Sequence, residues 1–278
     1  MRKFLPFALI MTMAVALCGC GSSSDDAKSE DKSAKETTVE EATTAEETSE
    51  DVEEETTADD TSDAVMSYQE FRDADVDTEV TVITNVQAKQ SWWDDSANVY
   101  CIDNEGAYFI YGLACTEEEY ETLTQGTAIK VTGYKSEWSG EVEITDATFE
   151  LVAADPYVVD TPTDLTEYFG DDDALINSIN CFAAFKGLTV VASTDADGNE
   201  VPYLYNWDGS GSQGDDLYFT VSLGDKTATF TVESYLCDKD TDVYKAVEGL
   251  NVGDVIDVQC FLYWYNGANP HVTSVTVQ

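Results

Sequence analysis

The five tryptophans of this 278-residue chain are gathered in four short stretches. AKQSWWDDSA (88–97) carries Trp92 and Trp93, and YKSEWSGE (134–141) carries Trp138. VPYLYNW (201–207) carries Trp207 in step with Tyr203 and Tyr205, and LYWYNGANP (262–270) sets Trp264 between Tyr263 and Tyr265. Rings with an apolar face and a polar edge stack on sugar rings or nucleobases, and they anchor protein partners. Lys89 and Lys135 each precede a tryptophan by a few residues, adding a cationic donor. The competing reading is that the same rings are packing, since large aromatics are usually mostly buried.

Other chemistry is thinly represented. Asp195, Asp197 and Asn199 alternate around Gly198 as oxygen ligands do in calcium loops. The downstream spacing of an EF-hand is missing, so a glycine-containing hairpin turn explains the run more simply and a weak calcium site is the outside alternative. Asp238, Asp240 and Asp242 read as acids at the start of a helix. The single histidine, His271, and the lack of any C-x-x-C pair argue against zinc. With no G-x-S-x-G and no phosphate-binding loop, the sequence offers no catalytic constellation, and it reads as a non-enzyme without a resident cofactor.

The stretches are held by strands. Val80, Val82, Thr84 and Val86 alternate with other residues, and NVYCID and AYFIYGL flank an Asn104-Glu105-Gly106 turn. Ser67 to Glu70 and Thr116 to Glu119 have capping-box spacing, each opening a short helix. AIKVTG and VEITDATFEL complete a set of five strands. The plan then repeats: a helical stretch over 164–179, then CFAAFKGLTVVA, VPYLYNW, LYFTVSL, TATFTVESYL, a helix over 242–250, VIDVQCFLYWY and HVTSVTV. GTAIKVTGYKSEWSGEVEITDATF (126–149) and GDVIDVQCFLYWYNGANPHVTSVTV (253–277) match in their glycines, their Ile-x-Val and their aromatic loop. Buried parity switches between Ile144 and Ala147, and again between Val272 and Val275, so each last strand should carry a bulge at the same point.

Five strands with a helix between the third and fourth, and the run L-x-x-G-x-x-I-x-V at 123–131 and 250–258, resemble the OB-fold. A small β-sandwich is the alternative. The OB resemblance implies two tandem mainly-β barrels, 66–152 and 153–278, with ligands held between the loops joining strands 1–2 and 4–5. By that resemblance Trp92, Trp93, Lys89, Lys135 and Trp138 belong to the mouth of the first barrel, the favoured one, and Trp264 and Tyr265 to the second. It also sets the strands of Cys181 and Cys260 side by side, making them the disulfide candidate. The other reading is that all five cysteines beyond Cys20 are reduced core residues.

The chain begins with Arg2, Lys3 and an apolar run that has the layout of a secretory signal. Its end, Leu17-Cys18-Gly19-Cys20, resembles the lipobox of bacterial lipoproteins of the Gram-positive type. That resemblance implies removal of residues 1–19, acylation of Cys20 and anchorage at the outer face of the cytoplasmic membrane. Residues 21–65 hold 17 acids and three lysines and no aromatic, a composition that cannot bury enough apolar surface to order itself, so 20–65 reads as an anchored, disordered tether. Taking those residues and the two leader bases from totals of 56 acids and 13 bases leaves 39 acids and eight bases on the folded part. A surface so acidic lacks the cations that replace phosphate counterions, which argues against nucleic acid. The reading is a membrane-anchored extracytoplasmic binding module for an envelope glycan or a surface protein. A single-strand-binding OB protein and a purely structural lipoprotein are the alternatives.

Overall fold

The computed structural model describes residues 64–278; the signal segment, Cys20 and nearly all of the acidic tether lie outside the described residues. Helix α1 (Tyr68–Asp73) opens with the expected capping box: Ser67 Oγ accepts from Glu70 N–H at 3.3 Å, and Glu70 Oε2 accepts from Ser67 N–H at 2.7 Å. Strands β1 (Glu79–Lys89), β2 (Ser96–Ile102) and β3 (Ala107–Ala114) follow, then α2 (Glu117–Thr122), β4 (Ala128–Trp138) and β5 (Glu141–Leu151). They close into a barrel in the order β1-β2-β3-β5-β4. Every pairing is antiparallel except β3 with β5, where Phe109 faces Glu143 and Ile110 faces Ile144. Val80, Val82, Val99, Ile110, Leu113, Ile129, Val131 and Ile144 fill the interior. Burying each such side chain contributes roughly 1.5–3 kcal/mol.

The second barrel repeats the circuit. After β6 (Thr163–Asp164) and α3 (Asp172–Leu175) come β7 (Phe182–Val191), β8 (Ser193–Thr194), β9 (Glu200–Val201) and β10 (Leu204–Tyr205). Then follow β11 (Leu217–Leu223), β12 (Lys226–Val232), α4 (Asp242–Glu248), β13 (Val255–Phe261) and β14 (His271–Val277). Strand β7 pairs with both β11 and β13, β12 with β11 and β14, and β13 with β14, so these five form a ring with the connectivity of the first. The short β6 and β10 add to its outside. Helices α2 and α4 each stand between the third and fourth strands of a ring, as expected of two OB-like barrels in tandem.

Both bulges are where the parity switch placed them. In β5 the register slips between Thr145 and Thr148, with Asp146 at φ 49° and Gly133 opposite. A Cβ on Gly133 would lie 2.7 Å from Thr145 O, so the fourth strand needs glycine to accept the bulge. In β14 the slip falls between Val272 and Ser274. Two expectations fail. The helical stretch over 164–179 is broken into two 3₁₀ turns and the four-residue α3, because Gly170 at φ 67° ends one turn and Asp171 caps the next. VPYLYNW is not one continuous strand. Pro202, lacking an N–H for a ladder, splits that segment between β9 and β10 inside a long 1–2 connection.

The barrels meet along an aromatic seam. Tyr100 stacks on Phe261 at 4.3 Å and touches Phe109 at 5.0 Å, while Phe182 meets Phe261 at 5.5 Å. Backbone hydrogen bonds cross the seam at both ends, Ser91 N–H to Tyr235 O and Asn266 N–H to Ser139 O, each 2.7 Å. Such pairs fix the relative placement of the two barrels.

Candidate functional site: an aromatic cleft at the seam

The outer face of β11, β12 and β14 is left open beside the seam. Alternation along LYFTVSL buries Leu217, Phe219 and Val221 and turns Tyr218 outward. Thr231 and His271, directly paired across the parallel step, continue the same floor. The 4–5 loop of this barrel contributes Tyr263, Tyr265 and Asn269, and the 1–2 connection contributes Trp207. The last wall comes from the other barrel: Trp138, at the end of β4, meets Tyr265 at 5.0 Å between ring centres. Together they enclose a cleft of about 590 Å³, within the range of small-ligand sites.

The close approach of the two 4–5 loops depends on Gly140. Its φ is 90°, and a Cβ there would lie 2.7 Å from Trp264 Cδ1. Glycine therefore lets the first barrel's hairpin lie on the buried indole of Trp264, which sets Trp138 over Tyr265.

The polar groups of the cleft are acceptors and hydroxyls. Asp216 Oδ1 accepts from Ser234 N–H at 2.8 Å and Ser234 Oγ at 2.6 Å, which fixes its carboxylate. Burial pushes the Glu233 carboxyl up to about 7, helped by Asp216 and opposed by the N–H groups of Leu236 and Tyr235. Burial also holds His271 neutral, its pKa brought down to about 3. Burial likewise keeps the Tyr100 phenol protonated, and its hydroxyl is hydrogen-bonded to His271 Nδ1 at 2.6 Å. Thr231 Oγ1 donates to Asn269 Oδ1 at 2.8 Å, orienting that amide. Among the described residues, no lysine or arginine lines the cleft.

The structure divides the residues expected to bind. Trp138 and Tyr265 stand in the cleft, joined by Trp207. Trp264 lies beneath, part of the core of the second barrel. Lys135 is withdrawn: its Nζ donates to Arg72 O and Ala74 O at 2.7 and 2.6 Å and so caps the C-terminus of α1. Lys89 donates to Tyr120 O and sits 3.5 Å from the centre of that ring, on α2. Trp92 packs against the first core and donates its Nε1–H to Cys115 O at 2.9 Å. Trp93 is 66 % exposed and borders a second, smaller cleft on the first barrel. The favoured mouth thus shifts from the first barrel to the second, because the lysines that favoured the first are spent on helix ends.

Tyr205, in step with Trp207 in the sequence, instead donates to Glu248 on α4 at 2.6 Å. Sequence reasoning missed Asp216, Tyr218, Glu233, Asn269 and His271. The outward parity of Tyr218 was the one signal that could have found any of them.

The calcium-like loop is the turn between β8 and β9. Asp195 Oδ1 accepts from Asp197 N–H at 3.0 Å and Asn199 N–H at 2.8 Å, and Asn199 Nδ2 donates to Oδ2 at 3.0 Å. The loop thus occupies both carboxylate oxygens of Asp195, and no group of three metal-ligating side chains forms among the described residues. The disulfide expectation is corrected: Cys181 and Cys260 are both free thiols. Cys260 pairs with Ala183, and Cys181 bonds to Leu262, so the register sets the two cysteines on a diagonal two residues apart. Such diagonals span about 7–8 Å, beyond disulfide reach. No helix among the described residues is long and apolar enough to cross a membrane.

No protein-family model matches the sequence, and neither does any curated protein. Solved structures share its general shape loosely. The p204 HINb domain is 9 % identical, with 74 % of this chain covering all of that one at a TM-score of 0.34. The Ifi202 HINa domain, solved with double-stranded DNA, is 12 % identical over 73 % of this chain and 96 % of that one, with a TM-score of 0.31. A Replication Protein A heterotrimer bound to single-stranded DNA is 12 % identical over 72 % of this chain and 49 % of that one, at 0.30. At such scores and identities these likenesses carry no inference about a binding surface, and the barrel topology stands on the strand pairings above.

Proposed function

We propose that the protein is a lipid-anchored extracytoplasmic binding module whose seam cleft holds a cell-envelope glycan. The observation that carries this is the composition of the cleft: aromatic rings on facing walls, fixed carboxyl, amide and hydroxyl groups between them, and no lysine or arginine among the described residues. The C–H face of a pyranose is apolar and its rim is hydroxyl, which suits rings and acceptors arranged in that way. Trp207, 77 % exposed, and Trp138, 53 % exposed, are costly to leave in water unless something covers them. A polyphosphate would face Asp216 and Glu233 with no counter-charge, on a folded region already strongly acidic. The signal segment and Cys20 support export and acylation.

Tryptophan fluorescence of the full chain, titrated with solubilised cell-wall glycan fragments, tests the reading. A saturable change is expected, with Trp138→Ala weakening binding about tenfold or more. Single-stranded DNA that binds instead, and lets go at moderate salt, would replace the glycan with nucleic acid. No response to either would leave a surface protein as the occupant. Incorporation of labelled palmitate that survives Cys20→Ser would refute the anchor.

A further inference from the structure

The second cleft, about 330 Å³, lies on the corresponding face of the first barrel: Asn98 of β2 and Tyr111 and Gly112 of β3 form its floor. Trp93 borders it from the 1–2 connection, and Tyr235 crosses from the second barrel. Trp93, Tyr111 and Tyr235 are all more than half exposed. The polar floor is built, not incidental. Asn98 Oδ1 accepts from Gly112 N–H at 2.8 Å, and its Nδ2 donates to Gln90 Oε1 at 2.8 Å, so both amides are locked in one orientation.

The two clefts are adjoining. Glu233 lines both. Tyr263 of the larger cleft, whose phenol is raised chiefly by burial, also feels the charges of Tyr111 and Glu233 from the smaller one. The junction is held by two bonds: Ser91 N–H and Oγ both donate to Tyr235 O, at 2.7 and 3.1 Å, two residues from Glu233.

We propose that the two clefts are one continuous groove, with Glu233 at its joint, and that its ligand is a linear, uncharged oligosaccharide spanning both barrels. This rests on the glycan reading of the larger cleft. A compact ligand would fill one cleft and leave the aromatic rings of the other bare. Platforms from Trp207, Trp138 and Tyr265 on one side, and Tyr235, Tyr111 and Trp93 on the other, suit a chain that offers a fresh ring face at each step. A chain without charge avoids the carboxyl groups that a polyanion would meet at the joint. Held partly protonated near neutral pH by burial, Glu233 both donates to and accepts from hydroxyls.

Calorimetric titration of the full chain with the disaccharide and the hexasaccharide of β-linked N-acetylglucosamine decides the matter. A hexasaccharide contains five overlapping disaccharide frames, so a single-cleft protein would bind it only about fivefold more tightly. The continuous groove should bind it about fiftyfold more tightly or better. Trp93→Ala and Tyr235→Ala should bring the hexasaccharide down toward the disaccharide and leave the disaccharide unchanged, whereas Trp138→Ala should weaken both. Their melting temperatures should match the parent, because Trp93 is exposed and Tyr235 bonds through its backbone. An affinity gain of no more than fivefold, with the disaccharide still bound, would overturn the continuous groove and leave the glycan reading standing. Binding of neither saccharide would overturn the groove as a glycan site.

Discussion

Glu141 joins the two barrels through a carboxyl group that water cannot reach, which makes their docking sensitive to pH. It begins β5 and is fully buried; Oε1 accepts from Asn180 Nδ2 at 2.7 Å, and Oε2 accepts from Trp264 N–H at 2.9 Å. Burial pushes its pKa from an ordinary 4.5 up to about 8, against the pull of those two donors, with Glu143 adding to the rise and Arg72 opposing it. A raised folded-state pKa means that the folded protein holds the proton more firmly than the unfolded chain. The resulting stability is complete below about pH 4.5 and is lost as the pH climbs through about 8. At about 1.4 kcal/mol per tenfold change in proton affinity, the loss is on the order of 5 kcal/mol, a large part of a domain's usual 5–15. Glu143 and Glu233, each raised to about 7 by burial, push in the same direction. Glu141→Gln keeps the volume and removes the ionisation, and Asn180 Oδ1, buried without a partner, can turn to accept from the new amide. Urea unfolding followed by tryptophan fluorescence near pH 5 and near pH 9 is the assay. The parent should lose stability steeply between the two conditions, while Glu141→Gln should change by several kcal/mol less and exceed the parent near pH 9. Parallel pH dependences for the two proteins would refute the reasoning, because the acidity of the whole surface would then explain the parent's behaviour.

Three further outcomes follow from the packing. Lys135→Met removes the ammonium that bonds Arg72 O and Ala74 O; it should cost roughly 1–3 kcal/mol of unfolding free energy in urea and leave the fluorescence titration with glycan fragments unchanged. A loss of affinity without a loss of stability would return Lys135 to the binding site. Tyr244→Phe removes a buried hydroxyl that donates to Asp215 O at 2.7 Å and accepts from Gly214 N–H at 2.8 Å, and unfolding should show a cost of roughly 1–3 kcal/mol. In native buffer Cys101 and Cys260, wholly buried and with thiols pushed up by burial, should resist a thiol reagent, and all five barrel cysteines should react once the protein is unfolded. A peptide map that links Cys181 to Cys260 would contradict the register described above.

What the sequence made legible is what local chemistry and periodicity determine. Two capping boxes, the outline of each five-stranded ring and the bulge in each final strand all follow from residues close together in the chain. Their partners are set by spacing alone. The roles of Lys89 and Lys135 could not be read in that way. Lys135 bonds carbonyls 61 and 63 residues away, and a lysine three positions before a tryptophan looks the same whether it faces a ligand or a helix end. The adjacent pair Trp264 and Tyr265 shows the limit of parity: alternation says that the two rings point to opposite sides, but only the docking of Gly140 onto Trp264 decides which side is interior. The disulfide failed on a register offset of two residues, which no count of cysteines contains.

The cleft lies beyond the reach of sequence patterns for a related reason. Its floor belongs to one barrel and Trp138 to the other, so the site exists only because the seam holds the two at one angle. Tyr100, Phe261 and the Tyr100–His271 hydrogen bond lie in that seam, and His271 also lines the cleft. The sole histidine of the chain is thereby placed where packing of the barrels and shape of the site are the same interaction. Its neutral ring stacks on Tyr263 at 4.3 Å, so a change that loosens the seam must also move a wall of the cleft. Binding and barrel docking are therefore linked: a ligand that fits the closed cleft stabilises the seam by an amount that grows with its free concentration relative to its Kd.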